Sequence, residues 1–308
     1  MASRPLEMID YGNLIRRNQQ VDWAFAIGGV AVLVIALGTL ITLLTDLAID
    51  GLSRIDWQFL SSFPSRRAAE AGILSSIVGT TLVMIVTAAL AIPLGVAAGV
   101  YLEEYAPKNV ITDVIEVNVT NLAGVPSIIY GLLALGLFVY ALGLGQTILV
   151  GGMVLALLIL PVIIVATREA IRSIPQAIRE GSYALGADKW QTMQFYILPA
   201  ARPGILTGAI VGLARAIGET APIITIGALT FIAFLPPPPI QTTFPFISFE
   251  WLWSPFTVMP IQMFNWISRP QAAFHVNAAA TGVVLMIMTL LMNGLAIWIR
   301  YQIRRAMK

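Results

Sequence analysis

Six long apolar stretches constrain the fold of this chain more than any other feature of its sequence. Each is long enough to supply the ~20 mostly apolar residues that a helix needs to cross a bilayer. Charged residues make up only 11% of the chain, whereas a soluble protein has about 25%. The sequence therefore predicts an all-α polytopic membrane protein with about six transmembrane helices. The predicted spans are roughly Trp23–Leu44, Gly72–Val100, Val117–Ala141, Thr147–Thr167, Gly204–Leu229 and Ala278–Ile299.

The placement of lysine and arginine predicts the orientation of the chain, because cytoplasmic loops of membrane proteins are enriched in both. With a cytoplasmic N-terminus, only Arg54, Arg66, Arg67 and Arg269 lie on the outer side, and nearly all other basic residues lie in the cytoplasm. An even number of spans then places the C-terminus in the cytoplasm too. The predicted organisation is a cytoplasmic tail at 1–22, the first span and a periplasmic loop at 23–71, a transmembrane core at 72–300 and a cytoplasmic tail at 301–308.

Composition excludes several kinds of site and partner. The chain has no cysteine and a single histidine, His275, so neither a metal site nor a bound cofactor is predicted. A net charge of +2 is too small to indicate a nucleic-acid partner, and membrane lipid is the expected environment. A phosphate-cradling loop needs lysine after a glycine-rich turn. The three lysines, Lys108, Lys189 and Lys308, all lie in other contexts.

A polar segment, Arg168–Pro199, separates the fourth and fifth spans and is predicted to be cytoplasmic. Pro175 interrupts it, since proline disfavours helix interiors. Two short amphipathic helices are predicted, at Ile178–Leu185 and at Lys189–Ile197, and Leu198-Pro199 is expected to end the second. A solvated linker is the alternative interpretation of this segment.

The turn chemistry and the apolar positions of this segment argue against a linker. Gly186 suits a helix C-cap, because glycine tolerates positive φ, and Asp188 suits the N-cap of the following helix. An exposed pair of amphipathic helices is typical of a segment that docks in a groove of a partner. The apolar positions are Ile178, Tyr183, Leu185, Trp190, Met193 and Ile197.

This segment resembles the coupling loop of ABC-importer permeases, whose consensus is Glu-Ala-Ala, three residues, Gly, nine residues, Ile, one residue, Leu-Pro. Glu180, Gly186 and Leu198-Pro199 match it, and Ala184 lies within the same motif. The resemblance implies a type I ABC-importer permease fold with the loop docked on a cytoplasmic ATPase. The chain itself is then a translocation subunit rather than an enzyme, and ATP is used by the partner.

Two charges lie inside the fifth span. Arg215 is ~11 residues past its cytoplasmic start, which places it ~16 Å into the bilayer. Glu219 lies one turn further on the same face, so the two side chains can pair. A buried charge costs at least ~2.5–3.5 kcal/mol at this depth. The pair indicates either an internal ion pair that holds helices together or, with Thr220, an anion site, because arginine presents a planar fork that matches phosphate oxygens. Pro222 is expected to open the helix locally.

The third span contains a proline near mid-membrane. Pro126 is predicted to break the helix, so that a half-helix begins at Ser127 with its free N–H groups directed inward. A simple proline kink is the alternative. Arg168, at the start of the polar segment, completes the candidate pathway residues.

Two motifs narrow the resemblance to phosphate ABC-transporter permeases. They are Gly-Val-Pro-Ser-Ile-Ile-Tyr-Gly at 124–131 and Ala-Arg-Ala-Ile-Gly-Glu-Thr-Ala-Pro at 214–222. The second motif and the loop are more similar to the PstA type of subunit than to its partner PstC. The resemblance implies a heterodimer with PstC, two copies of the ATPase PstB, the external phosphate-binding protein PstS, inorganic phosphate as substrate and a location in the bacterial inner membrane.

The resemblance also implies alternating access at the interface with the partner permease. Glu219 is expected either to accept the proton of monohydrogen phosphate, which would reject sulfate, or to act only as the resting partner of Arg215. Two other functions remain open. One is a permease for another oxyanion, and the other is an ion-coupled secondary anion transporter, which would have no use for a docking loop.

Overall fold

The computed structural model describes residues 11–240 and 246–306, and within these ranges the chain is mostly helical with no β-strand. Five helices are long and apolar enough to cross a membrane, and two further helices, which meet at 106°, pass the same test as a pair and give a sixth span if they are counted as one. The predicted all-α class and the expected number of spans are therefore confirmed. The ends of both predicted tails, at 1–10 and 307–308, and positions 241–245 of the external loop lie outside the described residues.

The helices are numbered along the chain. They are α1 (Tyr11–Leu52), α2 (Trp57–Ser61), α3 (Leu74–Val100), α4 (Val110–Leu122), α5 (Ser127–Ala134), α6 (Ile148–Arg172), α7 (Gln176–Ala184), α8 (Lys189–Thr192), α9 (Leu198–Gly218), α10 (Ala221–Thr225), α11 (Met259–Ile267) and α12 (Ala272–Ala306). Wider π turns continue α3, α5 and α8 at Tyr101–Tyr105, Leu135–Ala141 and Met193–Ile197, and single 3₁₀ turns lie at Ala68–Glu70 and Glu250–Trp253.

The chain divides into two units between Asp50 and Gly51. Among the described residues, the first unit is the part of α1 up to Asp50, and α1 extends beyond the predicted span Trp23–Leu44 at both ends. Three threonines in α1 donate their hydroxyl protons to the carbonyl oxygen four residues earlier, which satisfies these polar groups inside an apolar helix.

The core of the second unit is built around α6, which packs between α3 and α9. In lipid, helices associate through close packing rather than through the hydrophobic effect, so small residues matter at their crossings. A Cβ on Gly208 would overlap Ala166, and one on Gly152 would overlap Val86. Glycine at these two positions allows the three helix backbones to approach closely.

The loop between α1 and α3 is held to the start of α12 by one arginine. Arg54 is partly buried and its guanidinium lies 5.0 Å from the centre of the Phe59 ring. Its donors bond side chains and backbone carbonyls from three parts of the chain. The acceptors are Asn277 Oδ1, Asp56 Oδ1, Gln58 Oε1, and the carbonyl oxygens of Ala69 and Ala71.

Two predicted helix ends are wrong. The fifth span was expected to run to Leu229, but α9 ends at Gly218 and the chain turns into extended backbone at Glu219. The reason is Pro222, which has no N–H to donate to the Gly218 carbonyl and whose ring would collide with it in a continuous helix.

Leu198-Pro199 was expected to end the second short helix, but the helical path continues through it into α9. The π turn at Met193–Ile197 explains this continuity. The N–H of Leu198 bonds the Met193 carbonyl oxygen, and Pro199 then occupies the first turn of a new α-helical segment. Proline is common in the first turn of a helix, because its fixed φ already suits the helical path.

Candidate functional site

The third span is broken as the sequence predicted. The helix α4 ends at Leu122, α5 begins at Ser127 directly after Pro126, and the two meet at 106°. The hydroxyl of Tyr130 donates to the Leu122 carbonyl oxygen across the break, at 2.8 Å. The Leu122 carbonyl oxygen also accepts the Val125 N–H at 3.1 Å, so the Tyr130 hydroxyl is its second donor and ties the two half-helices together.

The break in the fifth span packs directly on the break in the third. The short helix α10 lies against α5, where Gly131 faces Pro222 and Thr225. A Cβ on Gly131 would lie 2.6 Å from the Pro222 Cα and would overlap the Thr225 hydroxyl oxygen. Because two prolines far apart in the sequence interrupt their helices here, polar backbone groups of both spans are concentrated in one place.

Arg215 and Glu219 lie at this junction. Arg215 Nε donates to Glu219 Oε1 at 3.3 Å across the end of α9, and the side chains are 38% and 21% exposed. Arg215 is also close enough to Tyr130, in α5, to interact electrostatically with its phenol. Among the contacts within the described ranges, none uses the two terminal nitrogens of Arg215.

Ser127 and Thr220 flank the same junction. Ser127 is half-buried in the first turn of α5 and lies one helical turn before Gly131, on the face that meets α10. Thr220 is half-buried in the two-residue link between α9 and α10. Neither α5 nor α10 has a side-chain cap at its N-terminus. The predicted residues therefore lie around this junction, with Ser127 in α5, Arg215 near the end of α9, and Glu219 and Thr220 in the link that joins α9 to α10.

Arg168 lies elsewhere. Its Nη2 is 2.7 Å from Glu116 Oε1 and its Nε is 3.2 Å from Glu103 Oε2, and the side chain is only 10% exposed. The separation of Arg168 from Arg215 follows from the packing of α9 on α6. Gly212, which is close to Arg215 on α9, packs on Ile159 of α6. Arg168 lies nine residues further along α6, about 13 Å away along the helix axis. It borders a cavity of about 460 Å³ between α4 and α6, and its role in a pathway stays a prediction.

The turn between α7 and α8 has the predicted chemistry. Gly186 has a φ of +85°, which confirms the need for glycine after α7. Asp188 accepts a hydrogen bond from the Gln191 N–H at 2.7 Å, and the Gln191 side chain accepts one from the Asp188 N–H at 3.0 Å, which forms a capping box. Sequence analysis missed a buried contact between the hydroxyls of Ser182 and Thr192, 2.8 Å apart, which joins the two short helices.

The predicted docking positions divide into two groups. Glu180, Ala184 and Gly186 are exposed. Four apolar positions are exposed as expected, namely Ile178, Tyr183, Leu185 and Trp190. The other two, Met193 and Ile197, are buried in a cluster with Ile171 and Ile205 and do not face outward. The reason is that the helical path continues into α9, so this part of it packs on the end of α6.

Sequence analysis also missed a set of ion pairs beside α7. Arg172 bonds both carboxylate oxygens of Glu103, at 3.1 and 2.9 Å, and Arg179 Nε bonds Glu104 Oε1 at 2.9 Å. The available signal was the pair of adjacent acidic residues, Glu103-Glu104, at the end of one span and three arginines near the end of another. Which glutamate pairs with which arginine depends on how the spans pack.

Residues 91–308 match the family model for the binding-protein-dependent transport system inner membrane component. The chain belongs to this family of transport permeases. The permease is 34% identical over 297 residues to the probable ABC transporter permease protein YqgI of Bacillus subtilis, which covers 92% of this chain and 96% of that protein. It is 31% identical over 230 residues to the phosphate transport system permease protein PstA 1 of Mycobacterium tuberculosis, covering 75% and 71%.

The fold of the permease is also that of a solved importer. A chain of a bacterial ABC transporter involved in the import of the acidic polysaccharide alginate superposes with a TM-score of 0.59 at 14% identity, and the match covers 97% of this permease and 99% of that chain. Likeness at this identity establishes the fold alone.

Proposed function

We propose that this permease forms half of the transmembrane pathway for inorganic phosphate in an ATP-driven importer of the bacterial inner membrane. The observation that carries the proposal is the Arg215–Glu219 pair at the place where two broken spans meet. Arginine keeps its charge in apolar surroundings and offers paired donors that match two phosphate oxygens. No contact among the described residues uses its terminal nitrogens, which leaves these donors available to an anion.

The N-terminus of α5 supports an anion site at the same place. The first N–H groups of a helix have no partner within the helix, and the helix dipole favours negative charge there. Ser127 adds a hydroxyl to these donors. Discontinuous helices of this kind form anion sites in transporters.

The names of relatives support phosphate as the substrate. PstA proteins from several organisms are about as similar to this permease as the Mycobacterium tuberculosis protein. Glu219 offers a physical basis for choosing phosphate over sulfate, because a carboxylate accepts the proton of monohydrogen phosphate but repels a fully ionised oxyanion.

The partners follow from the same assignment. The exposed face of α7 and α8, with Leu185 and Trp190, docks on the cytoplasmic ATPase PstB, present in two copies, and Glu180 and Gly186 belong to this contact. Both termini of the chain are then cytoplasmic. PstC supplies the other half of the pathway, and PstS delivers phosphate from outside. ATP is bound and hydrolysed only by PstB, so this chain itself needs no cofactor. ATP binding and hydrolysis switch the pathway between outward and inward access.

Arg215→Lys tests the anion site. Lysine keeps the charge but loses the fork, so we expect phosphate uptake by the reconstituted complex to fall about ten-fold or more, given that a hydrogen bond to a charged group contributes ~1.5–3 kcal/mol. Arg202→Lys, on the exposed start of the same helix, is the matched control. Uptake by an assembled Arg215→Lys complex that equals the control would contradict the proposal.

Glu219→Gln separates the two roles of that residue. If Glu219 rejects sulfate, the variant complex binds or transports sulfate, and if it does neither, Glu219 is only the partner of Arg215. Uptake that persists without ATP would identify a secondary transporter instead, and ATP-driven uptake of another oxyanion in preference to phosphate would identify a different substrate.

A further inference from the structure

Two consecutive glutamates end the second span. Glu103 and Glu104 lie in the π turn that follows α3, and their side chains are only 15% and 13% exposed. Neighbouring residues on a helix project in directions about 100° apart. The two carboxylates therefore reach different elements: Glu103 bonds Arg168 and Arg172 of α6, and Glu104 bonds Arg179 of α7.

Arg179 connects three elements through a single guanidinium. It projects from α7, its Nε bonds Glu104 after α3, and its terminal nitrogens donate to the carbonyl oxygens of Ile174 and Ile171 at 3.0 and 3.2 Å. Ile171 lies in the last turn of α6, and its carbonyl oxygen also accepts the Ile174 N–H at 3.2 Å. The side chain of Arg179 is 12% exposed. Removing one partner of such a pair leaves a nearly buried charge without compensation, so the two groups are expected to move together.

The contacts continue from Glu103 towards the broken spans. Arg168 is shared between Glu103 and Glu116, and Glu116 lies in α4, most of whose residues are exposed. The far end of α4 is the Leu122 carbonyl that accepts the Tyr130 hydroxyl proton. Hydrogen bonds and ion pairs between described residues thus run from α7 to the break that faces α10.

We propose that Glu103 and Glu104 are positioning residues that transmit the movement of α7 to the broken spans. The proposal rests on the proposed function, in which an ATPase moves α7. A displacement of α7 carries Arg179 and Glu104, and therefore the end of α3. The ion pairs of Arg168 with Glu103 and Glu116 transmit the same displacement to α4. Movement of α4 then changes the angle between α4 and α5 at the break beside Arg215.

A neighbouring ion pair provides a comparison within the same chain. Arg172 also contacts Glu169 at 3.3 Å, but both residues are on α6 and Glu169 is 63% exposed. A solvated pair within one helix contributes little and connects no second element. Glu169→Gln therefore removes the same charge from a residue that also contacts Arg172, without breaking the linkage, and it is the matched control.

The test measures phosphate transported per ATP hydrolysed by the complete complex in lipid vesicles, with inorganic phosphate as the probe. We expect Glu104→Gln and Glu103→Gln to lower this ratio by about two- to thirty-fold, the range that residues along coupled networks show, while ATP hydrolysis continues. Glu169→Gln should leave the ratio unchanged. A purely structural role would instead lower assembly, hydrolysis and transport in parallel.

The charge-swapped double variant, Glu104→Arg with Arg179→Glu, completes the test. Each single reversal should lower the ratio, and the double variant should restore most of it. The proposal is overturned if Glu104→Gln behaves like Glu169→Gln, if the assembled double variant stays uncoupled, or if Glu104→Gln fails to assemble and the swap does not rescue assembly. If the wild-type complex transports another oxyanion instead of phosphate, the proposed substrate is wrong. The number of those anions transported per ATP hydrolysed then tests whether Glu103 and Glu104 couple α7 to the broken spans.

Discussion

Replacing Gly131 with alanine tests whether the contact between the two broken spans holds the site together. The added Cβ would lie 2.6 Å from the Pro222 Cα and 2.7 Å from the Pro222 carbonyl oxygen, and it would overlap the Thr225 hydroxyl oxygen. Carbon atoms in contact prefer ~3.5–4.0 Å, so α5 and α10 have to separate by about 1 Å. The atoms of Pro222 belong to the backbone of α10 and cannot move aside like the end of a flexible side chain.

Overpacking of this kind costs about 1–3 kcal/mol. Alanine recovers up to ~1 kcal/mol of helix propensity relative to glycine. With the middle of the first range, about 2 kcal/mol, the expected net loss is about 1–2 kcal/mol, a factor of about 5–30 in the population with the native contact. Because Pro222 is displaced together with the preceding turn, the position of Glu219 should change and phosphate uptake should fall by a similar factor.

The assay compares Gly131→Ala with Gly136→Ala, which lies in the π turn directly after α5 and has no atom within 4 Å of the added Cβ. Thermal unfolding of the purified complex and uptake per assembled complex are measured for both. We expect a lower unfolding midpoint and lower uptake only for Gly131→Ala. Equal values for the two variants would show that the contact between the breaks does not position the site.

Three further substitutions test other parts of the structure. Gly186→Ala places a residue with a Cβ at a φ of +85°, which costs about 1–2 kcal/mol. Binding of the ATPase, measured by copurification, should therefore weaken. The control Gly181→Ala, within α7, should not weaken it. Tyr130→Phe removes the hydrogen bond to the Leu122 carbonyl oxygen across the bent span, and the unfolding midpoint should fall by the equivalent of ~0.5–1.5 kcal/mol. The control is Tyr140→Phe, at an exposed position. Equal midpoints for the two variants would refute the role of the bond. Arg54→Ala removes the donor to two part-buried acceptors, Asn277 Oδ1 and the Ala71 carbonyl oxygen, and should destabilise the complex by about 2 kcal/mol. The loop between α1 and α3 should then be cleaved faster by a protease, and an unchanged cleavage rate would contradict this.

Features that depend on local backbone chemistry could be predicted from the sequence. Pro126 and Pro222 interrupt their helices because proline lacks an N–H and collides with the preceding turn. Gly186 adopts positive φ, and Asp188 caps the helix that follows it. Each of these outcomes depends on residues within about one helical turn, so neighbours in the chain were sufficient to predict it.

Features that depend on which faces meet could not be predicted in this way. Periodicity placed Met193 and Trp190 on the same short amphipathic helix, but the continuous path into α9 buries Met193 and leaves Trp190 exposed. The ion-pair partners of the two glutamates after α3 could not be predicted from the sequence, since Glu103 and Arg168 are 65 residues apart. A side chain that reaches across a helix crossing takes its partner from the packing of both helices.

The sequence by itself determined that this chain crosses the membrane, where its spans break and where a positive charge lies in the apolar interior. These properties follow from transfer into lipid and from the geometry of proline and glycine, which act residue by residue. Tertiary structure alone decided that the two breaks lie against each other, with Gly131 on Pro222, and that the segment α7 is tied to α3 through Arg179 and Glu104. Those contacts depend on how the helices pack around α6, which touches α3, α5, α9 and α10.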